Sequence, residues 1–262
     1  MEVVAIINQK GGVGKSTTAH ALGAGLHSKG KRVLFIDLDP QGNLSYALRL
    51  EQNNKNVRSI YDPLVDTSRE RFYFIYQETA CGQAVASSPK LAGADNILID
   101  VGKEYRLREV MKWHGVGSLA DYVIIDTPPA LGILTINALT AATRVIIPTQ
   151  ADIFSIQGIG QLYSTIDVVR RYTNPALVVD GILLTRYNAR SILTREMTEM
   201  IEETALQLDA RVYNARIREG VAIKEAQAKR QDIFSYAPTS NAAMDYAAFV
   251  EEFLEGVESN GR

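Results

Sequence analysis

The sequence predicts an α/β protein with a mostly parallel central sheet and helices on both faces. Three observations carry this. Glu2–Asn8 is a short β-branched, apolar run that ends in a glycine-rich loop, as a buried parallel strand does. The loop leads into a helical pattern and then a second apolar run, Lys31–Asp37, so strand, helix and strand form a right-handed crossover unit. The same rhythm returns beyond residue 120, which extends the sheet and covers both of its faces.

Taken in order, Ser16–His27 reads as a helix with Ala19, Leu22, Ala24 and Leu26 on a small apolar face, ended by Gly30. Tyr122–Asp126 and Arg144–Pro148 read as strands flanking a helix over Leu134–Thr143. Ser155–Arg171 reads as a helix, Leu177–Leu184 as a strand, and Thr194–Leu208 and Thr239–Val257 as helices. The last has Met244, Ala248, Phe249, Val250 and Phe253 on its apolar face. Between Glu51 and Gly117 only Leu107–Trp113 is plainly helical, while Tyr61–Leu64 and Phe72–Gln83 carry mixed signals. With no repeat, low-complexity tract or linker, residues 1–262 are expected to form one domain.

Composition narrows the chemistry. Hydrophobic residues at 46% and charged residues at 22% are ordinary for a globular protein. No apolar run reaches the roughly 18–20 residues that span a bilayer, and Met1–Asn8 lacks a basic leader. The single cysteine, Cys81, excludes an internal disulfide or an all-cysteine metal site within one chain, and His20, His27 and His114 have no metal-ligand spacing. A net charge of −2 means that any nucleic-acid surface must be a local patch.

Lys10-Gly-Gly-Val-Gly-Lys-Ser-Thr17 carries the most information. It fits the phosphate-loop pattern Gly-x-x-x-x-Gly-Lys-Ser when the first glycine position is allowed to be Lys10 or its neighbour. Gly11, Gly12, Val13 and Gly14 let backbone N–H groups close around phosphate oxygens. Lys15 is placed to neutralise β/γ-phosphate charge, Ser16 to hold Mg²⁺, and Ser16 and Thr17 open a helix whose N-terminus favours anions. Two carboxylates, Asp37 and Asp39, end the second strand, and alternation puts both on one side if the strand continues. Asp126 closes the four-residue apolar run of a Walker B strand, with its carboxylate toward Mg²⁺, and Thr127-Pro-Pro129 follows it.

Asn8-Gln-Lys-Gly-Gly-Val-Gly-Lys-Ser-Thr-Thr18, with its second lysine at Lys10, resembles the opening motif of the ParA/Soj family, the deviant Walker A P-loop ATPases. Phe35–Asn43, Tyr122–Leu139, Pro148–Gly158 and Gly181–Arg186 are similar to further family segments, so the resemblance covers nearly the whole chain. It implies ATP and ADP with Mg²⁺ as cofactors and a homodimer sandwiching ATP. Lys10 would reach the partner's phosphates, Asp39 would orient the attacking water, and Asp37 would belong to the Mg²⁺ shell. Thr127–Pro129 would sense the γ-phosphate. Asn188 and the Ile217 region would contact the base, although Ile217-Arg-Glu-Gly220 departs from the family's Ile-Pro-Arg and Asn188 stands where many relatives carry aspartate.

Branches of the family differ in cargo. The nitrogenase iron-protein branch needs cysteines that this chain lacks, the acidic end Glu251–Arg262 is opposite to a MinD-type membrane helix, and there is no tyrosine-rich tail. DNA partitioning remains, and the resemblance implies a cytoplasmic, nucleoid-associated protein whose ATP hydrolysis a ParB-like partner would stimulate. The first strand begins at residue 2, so no helix-turn-helix operator reader is expected ahead of it. Basic residues gather between Arg186 and Arg230, and the resemblance puts non-specific double-stranded DNA there, with Arg190, Arg218 and Lys224 preferred. Interleaved glutamates (Glu196, Glu199, Glu202, Glu203 and Glu225) leave a solvated mixed-charge face as the alternative. Positioning of a protein cargo on the nucleoid, and a nucleotide-dependent regulator that does not hydrolyse ATP, also stay open.

Overall fold

The computed structural model describes residues 1–52, 58–65 and 76–260. Its strands are β1 (Glu2–Ile6), β2 (Val33–Asp37), β3 (Gln77–Thr79), β4 (Gly82–Val85), β5 (Tyr122–Asp126), β6 (Arg144–Thr149), β7 (Val178–Tyr187) and β8 (Val212–Arg218). They form one eight-stranded sheet in the order β3-β4-β2-β5-β1-β6-β7-β8. All neighbours run parallel except β3 and β4, an antiparallel hairpin at one edge. The α-helices are α1 (Lys15–Ser28), α2 (Asn43–Ala47), α3 (Tyr61–Val65), α4 (Ala94–Ile97), α5 (Arg106–Trp113), α6 (Val116–Leu119), α7 (Ile133–Ala141), α8 (Ile153–Tyr172), α9 (Ile192–Gln207), α10 (Val221–Lys229), α11 (Ile233–Tyr236) and α12 (Asn241–Asn260). Among the described residues no helix is long and apolar enough to cross a membrane.

The apolar runs are continuous because both faces of the sheet are covered. Ala5, Ile36, Ile125, Ile147 and Leu184 point into a core shared with Leu107 and Val110 of α5, Leu134 and Ala138 of α7, Leu162 and Ile166 of α8 and Ile201 of α9. Their strand neighbours Val4, Phe35, Ile124 and Ile146 point the other way, onto Leu22 and Leu26 of α1 and Phe249 and Phe253 of α12. Close approach of α1 depends on its glycines. A Cβ on Gly23 would lie 2.2 Å from the Phe35 ring, and one on Gly25 would lie 2.7 Å from Val250.

Register positions the acidic groups. Asp126 is level with Asp37 on one side and with Ile6, which leads into the glycine loop, on the other. Asp37 and Asp126 share the side of Phe35 and Ile124, which is the side that α1 covers. The parallel α/β architecture is the one expected, with three differences from the sequence reading. The strand ends at Asp37, where the Asp39 N–H donates to Asp37 Oδ1 at 3.1 Å, so a turn and not strand alternation directs Asp39. The hairpin β3–β4 occupies part of the illegible stretch, while the beginning of Phe72–Gln83 lies outside the described residues. Strand β8 and helix α10 lie in the segment read only as basic. Along β8 only Tyr213 and Ile217 are buried, so no apolar run marks it.

Candidate functional site

Where β1 meets α1, Gly12 and Gly14 take left-handed conformations (φ 75° and 88°) that L side chains rarely adopt. A Cβ on Gly11 or Gly12 would meet nothing within 4 Å, so the loop is open on the side away from the sheet. No side chain caps α1 at Gly14, which leaves first-turn N–H groups free for an anion. The loop itself is tied down from three strands. The Asn8 side chain donates to Pro148 O (2.7 Å), the Thr127 hydroxyl to Ile6 O (2.8 Å), and the Thr185 hydroxyl to Val13 O (2.8 Å). These anchors sit in segments whose family likeness is visible in the sequence, although their roles are not.

Lys15 is buried, with Nζ 3.2 Å from the Lys10 carbonyl oxygen. Burial pulls its pKa below the ordinary lysine value, opposed by Asp126 and Asp39. Asp126 is fully buried, and among the described residues neither of its oxygens has a hydrogen-bond partner of good geometry. Burial, reinforced by Asp37, pushes its pKa well up, while Ser16 and Lys15 favour the charged form. Burial also pushes Asp37 up to about 6, against the hydrogen bonds it accepts from Ser45 and Asp39. Asp37 Oδ2 takes the Ser45 N–H and hydroxyl, both at 2.7 Å, which commits most of its acceptor capacity. Asp37 thereby ties the Asp39 turn and the following Ser45 to the end of β2.

Among the described residues no three His, Cys, Asp or Glu side chains cluster as a metal cage. A buried, unsatisfied carboxylate beside Ser16 fits instead a small hard cation that is shared with a phosphate ligand, the usual habit of Mg²⁺.

A cleft of about 610 Å³ opens above these groups, a size suited to a nucleotide. Gly11 to Thr17, Asp39, Pro129, Thr185, Arg186, Ile217 to Gly220, Lys224 and Gln227 are among the residues that line it. The Gln227 side chain donates to the Thr17 hydroxyl at 2.7 Å, bridging α10 to α1. Asn188 is not on this wall. Its Oδ1 accepts the Arg190 N–H at 3.1 Å in the turn before α9, while Thr185 and Arg186 of the same strand reach the cleft.

Lys10 stands at the loop's entrance and turns back onto its own chain, with Nζ 2.5 Å from Asp152 Oδ2. Partial burial acts to raise the Asp152 pKa, but hydrogen bonds from Lys10 and Ser155 hold it below its ordinary value.

The three basic residues preferred for DNA are not equivalent. Arg218 forms a forked pair with Asp245, with Nη2 2.6 Å from Oδ1. Among the described residues Arg190 and Lys224 are exposed and have no ion pair. Arg211 and Arg216 of the same basic stretch are likewise paired, with Asp180 and Glu202.

The family model described as "AAA domain" matches residues 1–179. Over 99% of both chains, the sequence is 37% identical to the sporulation initiation inhibitor protein Soj of Bacillus subtilis. It is 35% identical to the chromosome partitioning protein ParA of Myxococcus xanthus, over 97% of this chain and 88% of that one. Among solved structures, cobyrinic acid a,c-diamide synthase from Mycobacterium smegmatis with bound ADP and magnesium superposes with a TM-score of 0.82 at 33% identity, covering 100% of this chain and 97% of that one.

Proposed function

We propose that this chain, which belongs to the ParA/Soj family of P-loop ATPases, is a partition ATPase in which ATP binding brings two copies together on DNA and hydrolysis separates them. One observation carries the reading. A fully buried carboxylate, Asp126, with no hydrogen-bond partner of good geometry among the described residues, lies beside Lys15 and Ser16 at an uncapped helix N-terminus, an arrangement completed by a triphosphate and a cation. ATP or ADP with Mg²⁺ are the cofactors. Ser16 and Asp126 would hold the cation, whose chemistry is to neutralise charge between the β- and γ-phosphates.

The loop N–H groups and Lys15 hold the phosphates, and Asp39, set by its turn at the cleft, orients the attacking water. Lys10 serves the partner chain's phosphates. Exposed Ile153 and Phe154 at the start of α8, with Ile192 and Leu193 at the start of α9, give that edge an apolar rim suited to a second copy. DNA is held without base reading by residues such as Arg190 and Lys224, with Arg218 contributing less because Asp245 already neutralises it. A centromere-binding protein of the ParB kind stimulates turnover.

The test is solution mass and phosphate release with Mg²⁺ and either ATP or ADP. A dimer that forms only with ATP and decays as phosphate is released supports the reading. A chain that keeps one mass in both nucleotides and releases no phosphate refutes it.

A further inference from the structure

We propose that Asp152 is a latch for Lys10 within one chain, setting the protein concentration at which ATP assembles two copies. The threshold rests on the reading of Lys10 as a residue offered to a second chain, whereas the contact itself stands on geometry alone. Asp152 divides its two oxygens between two tasks. Oδ1 caps α8, accepting the Ser155 N–H at 3.0 Å and hydroxyl at 3.2 Å, and Oδ2 takes the Lys10 ammonium at 2.5 Å. The cap fixes the carboxylate at a helix N-terminus, where its negative charge is favoured.

The Lys10 main chain is held just as firmly. Its N–H donates to Asn8 Oδ1 at 2.9 Å and its carbonyl accepts from Lys15 Nζ at 3.2 Å. Only the side chain can swing, and it must leave Asp152 to reach another molecule. Lys10 and Asp152 side chains keep 36% and 29% of their exposure, so the pair is modest and a triphosphate, carrying more charge, competes with it. The latch therefore raises a threshold and does not lock the chain. Two latches open per dimer, so a factor of about three for each multiplies to about tenfold in the dimer dissociation constant.

The test uses Asp152→Asn, which keeps a cap acceptor and removes the charge, with Asp152→Ser as a second capping variant. Lys10 acetylation by a small amine reagent is followed by mass spectrometry in nucleotide-free protein, with exposed Lys112 as the internal reference. The dimer dissociation constant with Mg²⁺ and a non-hydrolysable ATP analogue is measured by sedimentation. The expected result in both variants is several-fold faster Lys10 acetylation and an approximately tenfold tighter dimer. Unchanged Lys10 acetylation, or a dimer equal to or weaker than wild type, overturns the latch. Faster acetylation in a protein whose wild type stays monomeric with the analogue sinks the two-chain reading, and the threshold falls with it.

Discussion

The phosphate end of the sheet and the β8–α10 face both concentrate charge, but in opposite ways. At the phosphate end Asp37 and Asp126 sit side by side in the core, Asp126 has no hydrogen-bond partner of good geometry among the described residues, and Lys15 is buried. Along β8, in contrast, the exposed Arg218 meets the carboxylate of Asp245. Buried charge left uncompensated is costly and persists where a ligand completes it, whereas surface pairs contribute little and mark solvated structure. Arg218 and Lys224 border the cleft as well, so the two regions differ in how their charge is met and not in distance from the site.

Several variants would sharpen or break that contrast. The largest effect is expected from Asp39→Ala. Phosphate release should fall at least about 100-fold while nucleotide binding is kept, as seen by fluorescence of a labelled ATP analogue. Unchanged turnover would remove Asp39 from the chemistry. Next comes Gly23→Ala, which places a methyl group against the Phe35 ring and should destabilise the fold by about 1–3 kcal/mol in urea unfolding, despite alanine's better helix propensity.

A smaller effect concerns pH. Because burial raises the Asp37 and Asp126 pKa values, the folded chain binds more protons than the unfolded one between the ordinary 3.8 and, for Asp37, about 6. Stability contributed there falls as pH rises through that window. Without nucleotide or Mg²⁺, Asp126→Asn should therefore unfold at a higher temperature than wild type at pH 7, with the gap narrowing toward pH 4. A wild type that is the more stable at pH 7 would contradict the assignment.

The smallest effects belong to the β8–α10 side. Arg190→Glu and Lys224→Glu should each weaken DNA binding several-fold and flatten its salt dependence by about one phosphate contact, while Arg218→Ala should change it by less than about twofold. Equal losses at all three positions would show that Asp245 does not occupy Arg218.

The same contrast explains what could be read from the sequence. That the glycine loop, Asp39 and Asp126 lie together at one end of the sheet is legible, because residue type at fixed spacing follows buried parallel strands. The β8 strand was not, since an edge strand with only Tyr213 and Ile217 inward has no apolar run. Neither was the state of each arginine, because Arg218 meets Asp245 across 27 residues and Arg211 meets Asp180 across 31. Charge counting records how many cations a segment has, not which are already neutralised. The Lys10–Asp152 contact was hidden for the same reason, spanning 142 residues. The Asp37–Asp39 relation is not legible, because alternation holds only while the strand continues, and a hydrogen bond from the Asp39 N–H to Asp37 Oδ1 turns the chain there.

In the proposed cycle the nucleotide state decides whether this protein holds DNA. The most direct measurement is retention on non-specific duplex DNA with ADP, ATP and a non-hydrolysable ATP analogue, each across a salt series. Retention with ATP or the analogue but not with ADP, falling steeply as salt rises, is the predicted result. Equal retention in all three states, or none in any state from protein that dimerises with ATP, would contradict it.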